Sequence, residues 1–203
     1  MQPSELFLAE HGRPKINYGL IAQAIAFYQK LGFEYIEVPW IVPEFIRRLT
    51  YNGPISFNTE FGPLVGSAEQ SFLFLAQSNL IESNKLYVAA TPCFRDDICD
   101  TTHQKSFFKV ELFYYNFIDC GMAHFILSAA QQFFRTLNLE SIVERINMHQ
   151  SDLMANGIEL GSYGTRLIDG KYFAYGTGLA EPRTTHVLTL GQVHNRLRIV
   201  GEH

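Results

Sequence analysis

The 203-residue chain has little of several things, and each scarcity removes a class of explanation. It has three cysteines, Cys93, Cys99 and Cys120, an odd number with no CxxC pair. That count argues against a disulfide framework and against a cysteine-only zinc site, and a reducing, cytoplasmic setting is expected. A mixed Cys93, Cys99 and His103 set matches no common zinc spacing. Basic excess is also missing: 16 Lys and Arg face 20 Asp and Glu, a net charge of −4. Proteins that live on nucleic acid carry a basic patch, so tight nucleic-acid binding by this chain alone is not expected. No apolar run approaches the roughly 20 residues that span a bilayer, so no membrane role is expected. The N-terminal stretch has no apolar core of signal-peptide length. There is no repeat and no low-complexity tract.

What is present is core material. Hydrophobic residues make up 47% of the chain and charged ones 18%, with 17 Phe and 10 Tyr. That composition supports a sizeable, sheet-rich interior within a single domain over residues 1–203. Apolar residues at Leu20, Ala24, Phe27 and Leu31 predict a helix over 17–31, stopped at Gly32. Residues 33–42 predict a strand broken by Pro39, which places it at an edge or an interface, because proline lacks the amide donor. Helices are expected over 71–84 and 122–137, and a strand over 141–148. The tail from Thr184 is expected to be helical or mixed.

The most informative stretch is Tyr87–Phe117, which reads as strand, polar loop, strand. Side chains alternate along a strand, so Ala89, Thr91, Cys93 and Arg95 share one face, and Phe107, Lys109, Glu111 and Phe113 share another. Pairing Arg95 opposite Phe107 would project both faces to the same side. An Arg fork suits phosphate oxygens and a Phe ring suits a purine face. An amphipathic hairpin with a surface ion pair is the plainer alternative.

These residues also carry a resemblance. TPCFR, a polar loop with His103-Gln104, and then FxKVEL resemble motif 2 of the class II aminoacyl-tRNA synthetases, most nearly the seryl type. In that family the motif Arg grips the ATP α-phosphate, a loop acid or His contacts the nucleotide, and a Phe stacks on adenine. The resemblance assigns these roles to Arg95, to Asp97 and His103, and to Phe107. The family has Glu where this chain has Asp97, and the loop here is shorter than the seryl one.

Three further stretches fit the same family. The helix, Gly-Phe and strand with Pro39 resemble motif 1, which implies a homodimer. Gly66-Ser67-Ala68-Glu69 resembles the loop that receives the amino acid, with Ser67 as the hydroxyl and Glu69 as the ammonium acceptor. Glu111 is a lesser candidate, and Ser67 reads equally well as a helix N-cap. Glu159 and Ser162 match the spacing of the seryl-type magnesium ligands. A spacing of three on a strand sends two side chains to opposite faces unless the chain bends, which Gly161 would permit. Gly176-x-Gly178-Leu179-Ala180-x-x-Arg183 resembles motif 3, with Arg183 on the γ-phosphate.

The implied fold is α+β, a mainly antiparallel sheet flanked by helices. The implied activity is ATP- and Mg2+-dependent activation of an amino acid as an aminoacyl-adenylate. No heptad run for a coiled-coil tRNA arm is visible, so the acceptor stays open among tRNA, a carrier protein and a small molecule. The alternatives are a non-catalytic paralogue that binds ligand as a regulatory subunit, and a fragment of a synthetase.

Overall fold

The computed structural model describes residues 15–53, 57–96, 100, 103–116 and 121–200, with the backbone alone for 192–200. Helix α1 (Tyr18–Lys30) begins where Asn17 turns its side-chain oxygen to accept the Leu20 amide at 3.2 Å. This satisfies one of the amides that a helix start leaves without a partner. The helix ends before Gly32, whose φ of +93° is open to glycine and strained for other residues. Next come strand β1 (Glu34–Tyr35) and helix α2 (Glu44–Arg48). Strands β2 (Asn58–Thr59) and β3 (Gly62–Pro63) pair with each other and lead to α3 (Ala68–Gln77). Strands β4 (Leu86–Phe94) and β5 (Ser106–Asn116) form the expected hairpin, followed by α4 (Met122–Thr136). Four strands follow: β6 (Ile142–Arg145), β7 (Gln150–Ala155), β8 (Ile158–Ile168) and β9 (Lys171–Glu181), before α5 (Arg183–Val200) closes the described chain.

Among the described residues, seven strands form one sheet in the order β1-β4-β5-β9-β8-β7-β6. Only β1 runs parallel to its neighbour; every other pairing is antiparallel. The protein is thus α+β. Period-two alternation sorts the side chains into two cores. Val88, Val110, Leu112 and Leu179 pack with Tyr28 and Phe133 from α1 and α4. On the other face Tyr87, Ala89, Phe113 and Phe173 pack with Phe72 and Leu73 of α3. Phe72 stacks on Phe113 with centroids 4.7 Å apart and planes 6° from parallel. This second core is built on Phe113 and Tyr115, toward one end of β5. Phe107, Lys109 and Glu111 continue the same face toward the other end, and they line a cavity.

Four expectations need correction. The strand over 33–42 shrinks to Glu34–Tyr35, with Ile41 making one isolated bridge to Leu64. Beyond Tyr35 the segment leaves the ladder and meets Pro39, whose carbonyl accepts the Ser71 hydroxyl at 2.6 Å. The helix over 71–84 starts earlier, at Ala68, and stops at Gln77, where Ser78 and left-handed Asn79 (φ 55°) end it. The strand over 141–148 stops at Arg145, because the Ile146 amide donates across a turn to the Gln150 carbonyl. Finally, Phe107 pairs opposite Cys93, and the Arg95 amide donates to Lys105. The register is therefore two residues from the one expected. A slip of two preserves the faces, so the side-chain sorting stands where the pairing did not.

Candidate functional site

A cavity of about 420 Å3 opens on this face above β5, β9 and β8. Arg95, His103, Phe107, Ser67, Glu69, Glu111, Glu159, Ser162 and Arg183 all line it. Asp97 lies outside the described residues. Residues from four separate stretches of the chain thus meet in one space.

Arg95 stands just beyond the end of β4. Its Nε donates to the Gly66 carbonyl at 2.8 Å, and its guanidinium lies 5.3 Å from the Phe107 ring centroid. The Phe107 ring thus lines the cavity with a cation against it. His103 holds the Asp100 carboxylate through Nδ1 at 3.1 Å, and its backbone amide donates to the same group at 2.7 Å.

Glu159 and Ser162 do share a face. Leu153 pairs with Gly161 and Met154 with Glu159, so Leu160 is an extra residue without an opposite number. That bulge restores the phase which a spacing of three would lose. The Ser162 hydroxyl reaches Glu159 Oε1 at 3.5 Å. Arg183, the first residue of α5, donates from Nη1 to the same carboxylate oxygen at 3.2 Å. Glu159 and Ser162 offer the hard oxygen donors that magnesium takes, one carboxylate with phosphate oxygens completing the shell. The described residues hold no group of three or more His, Cys, Asp or Glu that could cage a metal without a ligand's help.

The glycines of the Gly176-x-Gly178 pattern turn toward the helices. A Cβ on Gly178 would sit 2.6 Å from the Tyr28 ring, and one on Gly176 would sit 2.4 Å from Tyr163. The Tyr28 hydroxyl donates to the Gly178 carbonyl at 2.8 Å. Of the two purposes these small residues could serve, close helix–sheet packing is the one visible. Thr177, between them, lines the cavity.

At the other end of the cavity, Ser67 is the N-cap of α3. Its oxygen accepts the Glu69 amide at 3.3 Å and its hydroxyl donates to Glu111 Oε1. Glu111 also accepts the Glu69 amide at 3.0 Å and the Lys109 ammonium at 2.5 Å, so both its oxygens are engaged. Burial pushes the Glu111 carboxyl up, but the Lys109 charge and its hydrogen bond, with the Ser67 bond, outweigh burial and hold it below the ordinary range. Glu69 behaves the other way. Burial raises it, the neighbouring Glu111 adds to the rise, and Arg166 offsets only part.

Arg166 and Arg47 escaped the sequence reading. Arg166 donates from Nε to Glu69 Oε1 at 2.7 Å. The signal was available, since Ser162, Gly164 and Arg166 alternate onto one side of β8. Arg47 is 1% exposed, with Nη2 donating to the Phe94 carbonyl at 3.2 Å and Nη1 to the Leu64 carbonyl. It ties the approach to α3 to the end of β4. An Arg-Arg pair in a short helix reads as a solvated face, and nothing local reveals that one turns inward. Among the described residues, three of the cavity carboxylates are in ion pairs: Glu69 with Arg166, Glu111 with Lys109, and Glu159 with Arg183.

No protein-family model matches the chain, and no curated protein matches it in sequence. Solved structures do match. The seryl-tRNA synthetase from Pyrococcus horikoshii, complexed with ATP, superposes with a TM-score of 0.67 at 19% identity, over 83% of this chain and 49% of that one. The cytoplasmic serine-tRNA ligase from Naegleria fowleri, in complex with AMP, gives 0.66 at 18% identity, over 83% and 46%. A pyrrolysyl-tRNA synthetase from Desulfitobacterium hafniense gives 0.61 at 14% identity, over 81% and 66%. The chain thus spans about half the length of the seryl enzymes it matches. These likenesses show the fold, that of class II synthetase catalytic cores.

Proposed function

We propose that this class II synthetase-like core activates an amino acid with ATP. The observation that carries the reading is the convergence of Arg95 and Arg183, 88 positions apart in sequence, on one cavity that also holds an oxygen-donor pair and an aromatic ring. Nothing in a random surface requires two arginines, a Glu–Ser pair and a Phe to share that space. In this reading ATP lies across the sheet, with adenine stacked on Phe107 and His103 contacting the nucleotide, a contact the resemblance also assigns to Asp97. Arg95 binds the α-phosphate and Arg183 the γ-phosphate. Glu159 and Ser162 would hold a magnesium ion, which when bound neutralises phosphate charge.

An oxygen of the amino-acid carboxylate bonds to the α-phosphorus, and the bond from that phosphorus to the bridging oxygen breaks. Pyrophosphate leaves with the electron pair. Charge gathers on phosphate oxygens in the transition state, so fixed cations are the protein's contribution and no protein nucleophile is required. Ser67 and Glu69 face the amino acid. Glu111 serves indirectly, because both its oxygens are taken up in holding the Ser67 and Glu69 end of α3. Pro39, with the half-exposed Trp40 next to it and the exposed Phe45 six positions on, supports a homodimer surface. No helix among the described residues is long and apolar enough to cross a membrane. The buried free thiol of Cys93 accords with a reducing, cytoplasmic setting.

The test is ATP–pyrophosphate exchange, screened over the common amino acids. Exchange that depends on one amino acid supports activation, and aminoacyl transfer to tRNA or to a carrier protein is then assayed directly. ATP binding without exchange favours the second reading, a ligand-binding or regulatory subunit. That reading has its own support: the Glu69–Arg166 and Glu159–Arg183 ion pairs already neutralise carboxylates that substrate or metal would otherwise use.

A further inference from the structure

Arg166 is placed like a receptor whose ligand is not a protein group. Its Nε is fixed on Glu69 Oε1 at 2.7 Å, and its guanidinium carbon lies 4.8 Å from the Tyr175 ring centroid. One edge and one face are thereby held. The terminal nitrogens Nη1 and Nη2 have no hydrogen-bond acceptor among the described residues, and the side chain is 38% exposed where it lines the cavity. The second oxygen of Glu69 likewise has no donor among them. Lys109 differs, because it is a point donor held on Glu111 and only 11% exposed, whereas Arg166 is a fork held by its Nε edge. The Glu69–Arg166 pair therefore presents, side by side, one acceptor for an ammonium and a planar two-pronged donor for a carboxylate.

We infer that the amino acid taken by this cavity carries a second carboxylate, as aspartate and glutamate do. The inference rests on the reading of the cavity as an activation site. The α-carboxylate must reach the α-phosphorus beside Arg95, so it cannot also be the ligand of Arg166. The α-ammonium goes to Glu69 and the side-chain carboxylate to the Arg166 fork. A small neutral side chain would leave that fork without an anion once the cavity is filled, and an unsatisfied polar group out of water is costly. A site built to bond one group rejects analogues that lack it. Tyr175 contributes by holding the guanidinium plane still.

Isothermal titration separates this inference from adenylation, because it needs no turnover. The full chain is titrated with L-aspartate, L-glutamate, L-serine and L-alanine, and separately with ATP, as wild type and as Arg166→Lys. The lysine variant keeps a cation beside Glu69, so its unfolding midpoint is expected to stay close to that of the wild type. One of the two acids is expected to bind at least tenfold more tightly than serine or alanine. Arg166→Lys is expected to weaken that acid at least tenfold with ATP affinity unchanged, since a point charge does not replace a fork. Absence of binding by both acids, equal binding of the neutral amino acids, or a parallel loss of ATP affinity in the variant would each overturn the inference. If the lysine variant fails to fold, the wild-type preference among the four amino acids decides alone. Selective binding of an acid without pyrophosphate exchange would sink activation and leave this inference standing. Exchange driven by serine and not by either acid would do the reverse.

Discussion

At the scale of single residues, the cavity is a set of charges whose values depend on what lies beside them. Among the described residues the Arg95 side chain is held by one hydrogen bond to a carbonyl and one ring contact, so its loss should cost the fold about 1 kcal/mol. Its loss to the chemistry should be far larger, of order 100-fold or more in exchange rate, as for other donors aimed at developing charge. Arg95→Ala is thus expected to abolish measurable exchange while the melting curve stays cooperative, and unchanged exchange would remove its assigned role. Glu111 makes a prediction in pH. Its folded carboxyl is held below the ordinary 4.5, so its stabilisation is complete above 4.5 and is lost as pH falls through the depressed folded value. Glu111→Gln strands Lys109, which is 11% exposed, and should cost about 3–5 kcal/mol at pH 7. Urea midpoints measured from pH 7 to pH 3 should show the gap between variant and wild type narrowing below 4.5. A constant gap would contradict the assignment.

At the scale of elements, what was legible in the sequence was periodicity, and what was not was phase. The hairpin, α1 and α4 were found within a residue or two, because aromatic alternation and three-and-four spacing are local signals. The sorting of Arg95 with Phe107 came through a wrong register, because parity survives a slip of two. Nine of ten candidate residues line one cavity; they were named from a resemblance to family motifs, which carries tertiary information that propensity lacks. The bulge at Leu160 could not be read, since an extra residue shows only against its partner strand. Arg47 and the Glu69–Arg166 pair were missed for the same reason: their partners lie on distant elements. The motif 3 glycines give this scale its prediction. Gly178→Ala would place a methyl 2.6 Å from Tyr28, which is buried between α1 and the sheet. Overpacking of this kind should cost about 1–3 kcal/mol, read as a fall in the urea midpoint with ATP affinity much less affected. An unchanged midpoint would mean that α1 moves aside freely.

At the scale of the whole molecule, the sheet is covered unevenly. Helices α1 and α4 pack one face, while α3 packs the other only toward one end. The ligand space is what that asymmetry leaves open. Among the exposed hydrophobics are Trp40 and Phe45, close in sequence to Pro39 and 50% and 65% exposed. Sedimentation equilibrium of the purified chain is expected to give a dimer mass, and Trp40→Glu with Phe45→Glu a monomer. A monomeric wild type at micromolar concentration would remove the dimer proposal.

The extra residue in β8 has a consequence for how such a protein can change over time. Glu159 reaches Ser162 only because Leu160 is surplus, so the pair's alignment is a matter of counting and not of side-chain chemistry. Exchanging one amino acid for another can weaken either partner but cannot turn it to the far side of the sheet. Losing a single codon there could. Lineages of this protein should therefore tolerate many spellings of β8 and almost no change in its length.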